Sequence, residues 1–336
     1  MNSAGDPPRR AVAGADNEGR AVERAVISAH GLTATVLSWG AVLQDLRLNG
    51  VEHPLVLGFP DFRDYPAHSP DFGAVVGRVA NRIRMAEADI GGVRRVFDAN
   101  CLGRHTLHGG AMGTGRSTWS IDRIAPDAVH LSLRLAGGYM GFPGALDIAA
   151  AYRIAPGPAL VFEAEARSDA PTICNLAHHS YFNLDGGGDA RRQRLQIAAE
   201  AYLPVDGDLC PTGERRPTAD TPFDFRAERV IGESGFDHNF CLAETRGPLR
   251  PVARLTGARS GVAMAIETTE PGLQLYDGST IPADGPPGLD GVAYGPCSGV
   301  ALEPQAWPDA PNQPWAGQVR LDPGETYRQR SVFRFS

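Results

Sequence analysis

The sequence contains no lysine, so all 32 of its basic residues are arginine. That excludes mechanisms built on a lysine amine, among them Schiff-base and pyridoxal chemistry and the P-loop nucleotidases. Cysteine is scarce as well. The five, at positions 101, 174, 210, 241 and 297, are odd in number and form no Cys-x-x-Cys pair. Neither a disulfide framework nor a zinc or other metal site is indicated, and a reducing cytoplasm is the expected setting. No apolar run reaches the length of about 18 residues that a membrane helix needs, and the N-terminus lacks a charged-then-apolar signal pattern. Positive charge is in deficit, with a net charge of −7, which argues against nucleic acid or an anionic membrane as the partner.

What is abundant is turn chemistry: 40 glycines and 27 prolines in 336 residues, beside a hydrophobic content of 42%. This suits a globular chain with many short connections rather than a helical bundle. Residues 1–24 are polar without a sustained period and read as a mobile leader. From there the apolar side chains fall on every second residue. Strands of this kind are expected over 32–39, 41–48, 128–135, 146–152, 160–166 and 262–266, with Asn49-Gly50 as a hairpin signal. Gly and Pro clusters such as Gly141-Phe142-Pro143-Gly144 and Pro286-Pro287-Gly288 separate the runs and leave room for only a few short helices. Clean alternation belongs to antiparallel sheets with one wet face, so the expected fold is all-β, a large antiparallel β-sandwich occupying residues 25–336 as one domain.

Polar groups sit where a bland strand would not need them. In Cys174–Leu184 an extended chain places His179, Tyr181 and Asn183 on one face and His178, Ser180, Phe182 and Leu184 on the other, so only one histidine can face a given pocket. Gly77–Ile83 offers Arg78, Asn81 and Arg82, planar donors and an amide suited to clamping ligand oxygens. His108 stands beside Gly109-Gly110, where backbone can approach a ligand. Asp237, His238 and Asn239 are bracketed by Phe236 and Phe240, a composition suited to a sugar. Glu303 lies in an apolar strand and shares a face with Gln305 and Trp307. A carboxylate there is costly unless paired or functional.

Taken in order, these segments resemble the aldose 1-epimerase family, the galactose mutarotases, over roughly residues 25–336. Gly77–Ile83, Leu107–Gly110, Asn175–Leu184, Asp237–Asn239, Pro271–Tyr276 and Glu303–Asn312 carry the resemblance. It implies a galactose mutarotase-like supersandwich and a cofactor-free isomerase, a monomer or homodimer whose partner is a small monosaccharide. It also implies His179 as catalytic acid and Glu303 as catalytic base. Arg78, Asn81, Arg82, His108, Asp237 and Gln274 would hold sugar hydroxyls, with His178 and Tyr181 as further neighbours. Ala177-His178 stands where Thr-Asn is common in the family. Three other readings compete: a glycoside hydrolase using Asp237 and Glu303, a sugar-binding module without turnover, and an epimerase of a phosphorylated aldose.

Overall fold

Alternation of wet and buried side chains is realised as sheet almost throughout. The computed structural model describes residues 9–68 and 71–336, and within them the single α-helix is the five-residue Asp64–His68. A nine-stranded antiparallel sheet runs in spatial order Ser120–Ala125, Ala128–Leu135, Leu146–Ala155, Ala159–Ser168, Tyr327–Phe335, Ala263–Thr268, Arg250–Thr256, Arg194–Ile197 and Arg229–Val230. A six-stranded sheet carries Tyr181–Phe182, Val300–Gln305, Gly272–Tyr276, Asp237–Cys241, Ala201–Tyr202 and Arg216–Pro217, and a four-stranded sheet lies near the N-terminus.

One continuous core draws on a face of each of these sheets. Along Leu146–Ala155, Leu146, Ile148, Ala150, Tyr152 and Ile154 are buried while Asp147 and Ala149 are exposed. Tyr152 sits opposite Phe162 on the next strand with ring centroids 5.4 Å apart. Each such aliphatic or aromatic side chain contributes about 1.5–3 kcal/mol by leaving water. The six-stranded sheet supplies Leu273, Leu275, Val300, Leu302, Phe182 and Phe240 to the same core. Its opposite face carries the polar groups described below.

Two expectations need correction. The leader reading fails from Arg9 onward, because Arg9–Ala15 pairs antiparallel with Ala21–Ala29 at the edge of the four-stranded sheet. Its lack of apolar period reflects an edge strand with mostly exposed side chains, not a chain without structure. Residues 1–8 lie outside the described residues. Asn49-Gly50 does not join paired strands. It closes a turn after Leu43–Leu48, with the Val51 N–H donating to the Leu48 carbonyl at 3.0 Å. The two-residue hairpin in this sheet is His30-Gly31, both at positive φ (48° and 85°), which suits a type I′ turn between Ala21–Ala29 and Leu32–Leu37.

Candidate active site

A cavity of about 380 Å³ opens on the polar face of the six-stranded sheet. Glu303 lies on its floor in Val300–Gln305, opposite Gln274 in the register, while the neighbouring Leu302 points into the core. His179 ends the short strand Ala177–His179, which pairs with Ala74–Val76. The two strands bring His179 Nε2 to 3.5 Å from Glu303 Oε1. Both side chains are almost fully buried, and Glu303 Oε2 meets no donor among the described residues. Burial pushes the Glu303 carboxyl up to about 7; the His179 and Arg82 charges pull against this, and Asp237 and Asp71 add to it.

The wall beside this pair is built by two backbones in the left-handed region, Asn81 at φ 62° and His108 at φ 51°. The Asn81 N–H donates to His108 Nδ1 at 3.2 Å, and the His108 N–H donates back to the Asn81 carbonyl at 3.1 Å. Burial pushes the His108 imidazole down to about 3. Its Nδ1 is an acceptor and the ring is neutral near pH 7, so Nε2 carries the proton and is a donor. The Asn81 Oδ1 accepts from the Arg82 N–H at 2.8 Å. Arg82 Nη2 reaches Asp237 Oδ2 at 3.3 Å, and Gln274 Nε2 donates to Asp237 Oδ1 at 2.6 Å.

Asn81, Arg82, His108, His179, Tyr181, Asp237 and Glu303 therefore line one cavity. Gln274 is buried and acts on the cavity through Asp237. Two expected residues are elsewhere. His178 points to the other side of its strand, packed against Tyr152, Phe162 and Phe333, with Nε2 bonded to Ser180 Oγ at 2.9 Å. Burial pushes its pKa down to about 3. Arg78 is buried away from the cavity, its guanidinium 5.8 Å from the Phe142 ring centroid and donating to the Gly144 carbonyl at 2.9 Å. Asn183, expected on the His179 face, is spent on the Gly188 and Ser298 carbonyls.

His238, singled out beside Asp237, also lines the cavity, whereas sequence reasoning missed Asp71, Tyr276, Ser279 and Thr280. Tyr276 was within reach of the alternation rule, since it lies two residues beyond Gln274 in the same strand. Asp71, Ser279 and Thr280 sit in irregular segments where no period exists to point them inward. Among the described residues no group of three or more His, Cys, Asp or Glu is placed to hold a metal ion.

The aldose 1-epimerase family model matches residues 23–334. The chain belongs to the aldose 1-epimerase family. It is thus an isomerase acting on carbohydrates. Among its relatives, the galactose mutarotase of Rattus norvegicus is 38% identical over 331 residues, covering 95% of each chain. The aldose 1-epimerase of Escherichia coli K12 is 32% identical, covering 91% of this chain and 92% of that one. The solved aldose epimerase homologue from C. elegans superposes with a TM-score of 0.86 at 32% identity, covering 93% of this chain and 98% of its own. Galactose 1-epimerase from Lactobacillus acidophilus gives 0.85 at 28%, covering 98% of both. The residues matched by the family model, 23–334, include the segments that place His179, Asp237 and Glu303.

Proposed function

We propose that this epimerase interconverts the α and β anomers of a free aldose such as galactose or glucose, with Glu303 as base and His179 as acid. Glu303 takes the proton from the anomeric hydroxyl as His179 Nε2 protonates the ring oxygen, the C1–O5 bond breaks, and C1 becomes an aldehyde. Rotation about C1–C2 presents the other carbonyl face to the former ring oxygen. Closure returns both protons. The observation that carries this reading is the 3.5 Å approach of His179 Nε2 to Glu303 Oε1 at the floor of the cavity. These two atoms must reach O5 and O1 of one ring, which are bonded to the same carbon.

Asn81, Arg82, His108, Tyr181 and Asp237 are assigned to holding the sugar, with Gln274 steadying Asp237. Asp237 is engaged by Arg82 on one oxygen and Gln274 on the other, which suits a fixed acceptor better than the acid of a glycoside hydrolase. The cavity wall carries Asp71, Asp237 and Glu303 against one arginine, Arg82, and that arginine is already paired. This balance favours a neutral sugar over a phosphorylated one. A reducing, cytoplasmic setting fits the five unpaired cysteines.

The test is polarimetry with freshly dissolved single anomers. Glu303→Gln and His179→Asn are each expected to lower turnover at least about 100-fold. A near-wild-type rate in either variant removes that residue from the mechanism. Sugar binding by the unmodified protein with no catalysed mutarotation would leave a binding module instead.

A further inference from the structure

Among the described residues, Asp71 is the one acidic group in the cavity wall, apart from Glu303, that is not already engaged by a protein donor. It opens a four-residue turn in which its carbonyl accepts from the Ala74 N–H at 3.2 Å. The third position, Gly73, has φ 68°, and a Cβ there would lie 2.2 Å from the Leu43 carbonyl oxygen. The Gly73 N–H donates to the His179 carbonyl at 3.0 Å, so the turn is tied directly to the residue at the reacting centre. Between them Phe72 is buried, its ring centroid 5.0 Å from that of Tyr181. Asp71 is therefore presented from a turn held in place by Phe72 and Gly73.

Its half-buried carboxylate lines the cavity without a hydrogen-bond donor or cation from the described residues. Nearby Asp45 and Asp61, by contrast, are each held by an arginine two residues on. Asp71 acts electrically on several cavity groups. It is the largest of the charges acting on His108, and it adds to the upward push on Glu303 and Tyr181. His108 Nε2–H is a donor that needs an acceptor, and Asp71 is an acceptor that needs a donor. A sugar hydroxyl is both at once.

We propose that Asp71 is a sugar-binding residue that accepts a hydrogen bond from one hydroxyl of a neutral aldose, beside the His108 donor, and so selects sugars that present that hydroxyl. The inference rests on the epimerase reading of the cavity but concerns binding, not proton transfer. A hydrogen bond to a charged acceptor in a closed site separates a sugar from its deoxy analogue by about 10- to 100-fold. A missing hydroxyl leaves the carboxylate desolvated and unpaired. Uronic acids and sugar phosphates meet an added repulsion there.

Titration calorimetry of the full chain and its Asp71→Ala and Asp71→Asn variants, with galactose, glucose and their monodeoxy derivatives, tests this. Melting curves run in parallel check that each variant folds. Alanine is expected to weaken the parent sugars about 10- to 100-fold, and asparagine less, because it keeps an acceptor oxygen. One monodeoxy sugar is expected to bind wild type and Asp71→Ala equally, which identifies the hydroxyl. Affinities unchanged by either substitution, or lowered by the same factor for every sugar in the series, would overturn the assignment. Polarimetry on the same samples keeps the two readings apart. Intact binding without catalysed mutarotation counts against the Glu303 and His179 roles and leaves the Asp71 result standing.

Discussion

Two adjacent histidines show how much of a site one residue's direction decides. His179 faces the cavity at 3.5 Å from Glu303, whereas His178 lies among Tyr152, Phe162 and Phe333. Strand alternation separates the pair from sequence alone, and family resemblance had grouped them again. Arg78 and Arg82 part in the same way, one toward Phe142 and the other toward Asp237. Motif proximity is thus a weaker guide to a side chain's destination than backbone direction. At this scale Glu303 makes the sharpest prediction. The proposed base must be ionised to act, and the Glu303 carboxyl is pushed up to about 7, first by burial and then by Asp237 and Asp71, against His179 and Arg82. In pH–rate profiles, kcat/KM should fall about tenfold per pH unit below about 7. Asp71→Asn should move that limb to lower pH. A profile flat down to pH 5 would deny Glu303 the role of base.

A single strand, Val300–Gln305, serves core and cavity by turns, and this explains what the sequence could disclose. Leu302 points inward to Leu275 and the rest of the core, and Glu303 points outward to His179. Strands with one wet face announce themselves by period, so Ala128–Leu135, Leu146–Ala155 and Ala159–Ser168 were legible almost residue by residue. Edge strands and irregular turns carry no such signal, which is why Arg9–Ala15 and Asp71 were not. Leu302→Ala should cost about 2–5 kcal/mol of folding stability by opening a cavity in the core. Denaturant titration reads that loss, while KM measured well below the melting point should stay within about twofold if the strand keeps its register. A large KM change with unaltered stability would mean the two faces are not independent.

For the whole molecule, the active site is a source of instability that depends on pH. With its folded pKa raised from 4.5 to about 7, Glu303 makes the native state hold more protons than the unfolded chain across that window. Stability from this group therefore declines as pH rises from about 4.5 to 7 and stays low above it. His108 and His178, both depressed from 6.5 to about 3, act in the opposite sense, and their contribution is lost as pH falls from 6.5 toward 3. Glu303→Gln should raise the melting temperature at pH 8, by the equivalent of about 1–3 kcal/mol, and leave it nearly unchanged at pH 4. Equal melting temperatures at pH 8 would show that the carboxylate is not strained in the native state. Tyr327–Phe335 adds a temporal consequence, because it lies between Ala159–Ser168 and Ala263–Thr268 in the middle of the largest sheet. A nascent polypeptide cannot zip that sheet shut until the ribosome has released these residues, so until then Ala159–Ser168 and Ala263–Thr268 lack the strand that joins them.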